Sequence, residues 1–207
     1  MKKIFLFSIY CLFSFCFNFA KPISTIIIEP GHGGKDPGAL GKVSQEKEIN
    51  LELALKLQEN LLRMMPKKQV ILTRDSDIYL TLKDRIKLTE KFKNSIFISL
   101  HANSSTYTLA TGYEIFYSKK LPQNKELALT ILEEIENDFP TRRNRGLKNG
   151  DLFVLENSNV PSVLIEIGFI SNENEEKLIS SPKFILKLSQ TISKALKSYC
   201  SKKEQSR

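Results

Sequence analysis

The chain has 207 residues, enough for one domain with a sizeable core and short for two. Its 41% hydrophobic and 26% charged residues are ordinary globular composition, and only nine Gly and eight Pro exclude a collagen-like or low-complexity chain. The 31 basic and 23 acidic residues give a formal charge of +8, which points to an anionic partner, yet the basic residues are scattered and read as solvated surface.

In chain order, the first feature is Met1-Lys2-Lys3 followed by IFLFSIYCLFSFCFNFA at 4–20, a stretch without charge that ends on the small residue Ala20. A basic start, an apolar stretch and a small residue at the cut form a secretory signal, with cleavage expected after Ala20. A retained membrane anchor is the alternative, because the apolar stretch approaches the ~20 residues of a spanning helix. Either way the remainder is expected to be exported, to the periplasm or cell envelope, which argues against a nucleic-acid role. Removing residues 1–20 takes away Lys2, Lys3, Cys11 and Cys16, leaving a charge of +6 and Cys200 as the one cysteine. An exported domain with one cysteine has no internal disulfide framework.

Six runs rich in β-branched and aromatic residues predict strands: 24–29, 69–73, 95–101, 111–117, 151–155 and 162–168. Several are nearly continuous apolar runs, as in strands covered on both faces. Helical spacing appears between them. Over 46–63, Asn50, Leu53, Ala54, Leu57 and Leu61 share one stripe. Thr81 with Asp84 resembles a capping box opening a helix that turns Leu82, Ile86, Thr89 and Phe92 inward. Ala128, Ile131, Leu132, Ile135 and Phe139 form a third face, ended by Pro140, and a last helix carries Ile185, Leu188, Ile192, Ala195, Leu196 and Tyr199. The alternation predicts an α/β sandwich with a mostly parallel or mixed sheet, with no internal linker that would split the chain. Residues 21–200 are assigned to it, and 201–207 to a polar tail.

Both histidines of the chain stand where a predicted strand meets a loop: His32 in EPGHGGKDPGALG and His101 at the end of SIFISLH. Sites on α/β sheets gather beyond the carboxyl ends of strands, so two histidines at equivalent ends point to a shared metal. The glycines beside His32 do not form a phosphate loop, because neither GxGxxG nor Gly-Lys-Ser/Thr is present. A catalytic zinc site needs three protein ligands, and Glu46 and Glu48, at the start of the 46–63 helix, are equal candidates by position. Glu166, in the apolar run VLIEIGF, is costly unless it is paired, binds metal or acts in chemistry; near a metal it would be a general base. Glu173, Glu175 and Glu176 read as surface. Ser99, beside His101, lacks the surroundings of a nucleophile.

Taken together, EPGHGGKDPGALG, QEKEINLELALKL, TRDSDIYLTLKDR, SLHANSS, NRGLKNGDLFVL and VPSVLIEIGFISN resemble the zinc-dependent N-acetylmuramoyl-L-alanine amidases of the type-3 class, in order from 26 to 174. The resemblance implies a single three-layer αβα domain with a six-stranded sheet and one Zn²⁺ per chain, with its ligands on His32, Glu46 and His101 and the family's catalytic Glu on Glu166. It prefers Glu46 over Glu48 through the match to Glu-Lys-x-x-Asn-Leu. It also implies hydrolysis of the amide between N-acetylmuramic acid and L-alanine in peptidoglycan. A monomer is expected, meeting a membrane only if the N-terminal segment is retained. A zinc peptidase and a non-catalytic wall-binding module are the rival expectations. Two departures stand out. Glu29 replaces the Asp that usually opens the first motif, and the 65 residues between His101 and Glu166 leave no room for the self-blocking helix of regulated members.

Overall fold

Strands and helices alternate along residues 22–205, the part of the chain that this computed structural model describes. The expected signal segment, 1–20, lies outside these residues, and no helix among them is long and apolar enough to cross a membrane. The elements run β1 (Thr25–Pro30), α1 (Glu46–Met64), β2 (Gln69–Leu72), α2 (Leu82–Lys91), β3 (Ser95–Asn103), β4 (Tyr113–Tyr117), α3 (Pro122–Asp138), β5 (Asn144–Asn149), α4 (Phe153–Glu156), β6 (Ser162–Phe169), α5 (Glu173–Ile179) and α6 (Pro182–Gln205).

The strands form one sheet in the order β2-β1-β3-β6-β4-β5. Pairing is parallel from β2 through β1 and β3 to β6, and β4 lies antiparallel to β6. Helices on both faces make this the α/β sandwich expected from the alternation. On one face Ile26, Ile28, Ile96, Ile98, Val163 and Ile165 pack under the stripes of α1, α3 and α6. On the other, Ile27, Phe97 and Leu164 cluster with Ile86 of α2, the Val154–Leu155 turn of α4 and Val160, flanked by half-buried Leu88, Phe92, Phe116 and Leu152. That second layer is thin. Side chains alternate faces along a strand, so the period that buries Ile27, Phe97 and Leu164 carries Glu29, Ser99, His101 and Glu166 up the same face, past the ends of the short helices. The thin layer leaves the carboxyl ends of β1, β3 and β6 open to a substrate.

The structure corrects several expectations. Residues 151–155 are not a strand: Leu155 and Glu156 both donate to the Leu152 carbonyl, and the turn buries Val154 and Leu155 against the sheet. The fifth strand is instead NRGLKN, an edge strand whose residues are half-buried to exposed. Its pairing with β4 makes it a strand, since its own composition has low β-propensity. Thr81 caps α2 as expected, accepting from the Asp84 amide, but Leu82 does not turn inward and is 52% exposed. The polar tail is, as far as Gln205, the continuation of α6.

Glu175 and Glu176 are not surface residues but are buried in α5. The Glu176 carboxylate accepts from the amides of Lys42, Val43 and Ser44 at 2.7–2.8 Å, pinning the loop that leads from His32 into α1. Glu175 accepts from Arg142 at 2.7 Å. The side chain of Asn172 caps α5.

Candidate metal centre

His32 follows β1 after Gly31, with its backbone at φ 61, a left-handed conformation that costs a non-glycine residue energy. That turn brings the imidazole back over the strand ends. Asp36 fixes its orientation: the Asp36 carboxylate lies 2.9 Å from Nδ1, which leaves Nε2 to face inward. His101 reaches the same point from the end of β3. Its ring packs on the backbone of Gly31, where any β-carbon would fall 2.2–2.7 Å from three of its ring atoms, so that position admits only glycine.

The third side chain comes from the first turn of α1. Glu46 is buried, with Oε2 3.2 Å from Nε2 of His32 and Oε1 2.9 Å from Nδ1 of His101. The amides of Ala39 and Ala102 and the Asn50 side chain also donate to it. Gly38, at φ 68, stands against this carboxylate; a β-carbon there would lie 2.6 Å from Oε2. The structure therefore brings Glu46 between the two imidazoles and leaves Glu48 exposed on the outer side of the helix. One donor atom from each of His32, Glu46 and His101 lies within 4.8 Å of the others.

This donor set fits a divalent cation. Two imidazole nitrogens and a carboxylate oxygen are the ligand types of catalytic zinc. Electrostatics agree. Burial opposes a charge on His101, but the hydrogen bond to Glu46 and the charges of Glu29, Glu166 and Glu46 outweigh it and raise the pKa to about 9. Glu46 is held far below the usual carboxylate range; burial opposes this, and the hydrogen bonds to His101 and His32 prevail. The centre is built to hold positive charge, which a metal ion would supply.

Behind His101, Glu29 is buried, accepts from Arg85 and from Ser99, and places Oε2 3.9 Å from Nε2 of the imidazole. The longer side chain in place of the usual Asp thus supports the centre from below. Ser99 is fully buried and spends its hydroxyl on Glu29, so it is no nucleophile.

Glu166 is the cross-strand neighbour of His101 on one side and of Glu114 on the other. The two acids differ in their partners. Glu114 accepts from Asn103 at 2.7 Å and from Arg145 at 3.3 Å. Glu166 has a buried Oε2 with no hydrogen-bond partner. Burial pushes its pKa up to about 7; His101 opposes, while Glu46 and Glu114 reinforce the shift. Adjacent carboxylates in unlike environments are how acid–base roles are divided. A cavity of about 240 Å³ opens beside His32 and His101, walled by Leu82, Leu152, Phe153 and Leu164. A larger one, about 520 Å³, lies between the loops near Lys42, Leu109 and Glu173 and includes none of these acids or imidazoles.

Asp36, Asn50 and Glu114 were not expected to join the site. For Asp36 a signal existed, the i, i+4 spacing from His32 in a glycine-rich loop. Glu114 could be found only from the sheet register.

The family model described as N-acetylmuramoyl-L-alanine amidase matches residues 26–198. The germination-specific N-acetylmuramoyl-L-alanine amidase of Bacillus subtilis is 30% identical over 192 residues, spanning 86% of this chain and 80% of that protein. Among solved structures, an N-acetylmuramoyl-L-alanine amidase from Clostridium difficile 630 superposes with a TM-score of 0.82 at 35% identity, over 87% of this chain and 98% of the other. The catalytic domain of CwlV, an amidase from Bacillus (Paenibacillus) polymyxa var. colistinus, gives 0.81 at 33% identity, over 86% and 98%.

Proposed function

The chain belongs to the N-acetylmuramoyl-L-alanine amidase family, and from that premise we propose that it cleaves the amide between the lactyl group of N-acetylmuramic acid and L-alanine in peptidoglycan, with zinc held by His32, Glu46 and His101 and with Glu166 as general base. The observation that carries this reading is the Glu166 carboxylate, unpartnered at Oε2 and one strand away from His101.

When bound, a zinc ion supplies Lewis acidity toward a carbonyl oxygen and eases the deprotonation of water. The chain's own residues do the rest. Asp36 and Gly31 fix the two imidazoles, so that the scissile carbonyl meets a preset centre. Glu166 takes the proton of the attacking water at its carboxylate and returns it to the departing nitrogen, which leaves as an amine. Burial supports that role by raising the carboxyl pKa, which favours holding the proton once it is taken. The neighbouring Glu114 keeps its hydrogen bonds to Asn103 and Arg145 and stays out of the transfer.

Peptide and amide hydrolysis share this chemistry, so the choice of the muramoyl amide over a stem-peptide bond rests on family membership. The N-terminal pattern supports export to the envelope, where the polymer lies.

Between β3 and β6 the chain forms β4, α3, β5 and the four-residue α4, which walls the cavity beside the two imidazoles through Phe153, and it adds no further helix there. The purified, zinc-loaded protein is therefore expected to release stem peptides from purified peptidoglycan with no partner protein added. Inactivity relieved by a second protein would contradict this.

A further inference from the structure

We propose that Arg74 is a positioning residue for the metal centre, its single guanidinium tying the loop that carries His32 to the helix that carries Glu46. The inference rests on the zinc reading above. Arg74 follows β2, 2% exposed, and donates to backbone carbonyls from every nitrogen of its fork. Nη2 donates to the Gly31 carbonyl at 2.8 Å and to the Lys47 carbonyl at 2.9 Å. The first acceptor directly precedes His32; the second directly follows Glu46. Nε donates to the Pro30 carbonyl at 3.1 Å and Nη1 to the Ser76 carbonyl at 3.1 Å.

A buried guanidinium whose hydrogen bonds all go to neutral carbonyls is an expensive way to close a loop. Burial lowers its pKa, the nearby Arg85 adds to that, and Glu29 and Asp77 offset it only through their fields. The expense is intelligible if the separation of the two segments matters. His32 sits in a left-handed conformation that relaxes unless its surroundings hold it. Arg85 helps by donating to the His32 carbonyl at 2.9 Å, but it makes no bond to α1. Arg74 reaches both segments. A lysine keeps the charge and loses the planar fork, so it cannot reproduce the set.

Arg142 is the internal comparison. Its side chain is also largely buried, and it donates to Glu175 and to the Ile167 carbonyl, joining α5 to β6; Ile167 follows Glu166, but neither acceptor adjoins His32, Glu46 or His101, the three residues that would hold the metal.

The test is the zinc dissociation constant, measured by competition with a chromophoric chelator, for the full protein and for Arg74→Lys and Arg142→Lys, alongside the melting of each metal-free form. Arg74→Lys is expected to weaken zinc affinity by ~10–100-fold, the usual effect of losing a residue that orients metal ligands. Arg142→Lys is expected to lower the melting temperature and leave the affinity unchanged. Wild-type affinity in Arg74→Lys would overturn the proposal, as would an equal loss in Arg142→Lys. Should Arg74→Lys not fold, Arg74→Gln is read the same way; loss of fold in both would make Arg74 a folding residue and overturn the proposal too. A wild-type protein that binds no zinc would instead overturn the reading on which the proposal rests.

Discussion

Replacing Glu166 by Gln is expected to cut turnover on peptidoglycan by ~10²–10⁴-fold, the contribution of a well-placed proton-transfer group. Zinc content and melting behaviour should stay near those of the parent protein. The amide has nearly the same shape as the carboxyl, and Glu166 gives up no hydrogen bond at Oε2, because that atom has none. Its burial costs the folded state something when charged, so a neutral substitute carries no penalty for fold. A structural ion pair would behave otherwise, since removing one buried partner strands the other. Kinetics with measured zinc occupancy and a melting curve separate these cases. Near-normal turnover in a folded, zinc-loaded Glu166→Gln protein would remove the residue from the mechanism.

The second large effect is expected at Glu46. Glu46→Ala should lower bound zinc from about one ion per chain, the stoichiometry of a three-ligand site, to almost none, and activity with it. Glu48→Ala should retain both. The two glutamates lie two positions apart on one helix, so the contrast isolates direction: Glu46 points between the imidazoles, and Glu48 points to solvent. Metal analysis after gel filtration reads the difference directly. Zinc loss in Glu48→Ala with retention in Glu46→Ala would reverse the assignment.

The two histidines and Glu166 were legible because they break local pattern: imidazoles at the carboxyl ends of apolar strands, and an acid inside one. Glu46 was legible only by resemblance, since position on the helix does not distinguish it from Glu48. The carboxylates of α5 were misread because their partners are remote. Glu176 meets amides 132–134 positions away along the chain, which no local window contains. The guanidiniums under His32 share this property; Arg74 and Arg85 act across 43 and 53 positions. In the 144–156 region, β-propensity pointed to DLFVL and away from NRGLKN. Tertiary packing decided the reverse, by giving β4 an edge partner and turning Val154 and Leu155 onto the sheet.

Mass spectrometry of the fragments released from purified peptidoglycan, with and without chelator, tests the central claim most directly. The account predicts stem peptides that begin with a free L-alanine amine and glycan strands whose N-acetylmuramic acid residues end in a free lactyl carboxyl. Chelator should abolish their release and added zinc restore it. Cleavage within the stem peptide, or undiminished release in the presence of chelator, would contradict it.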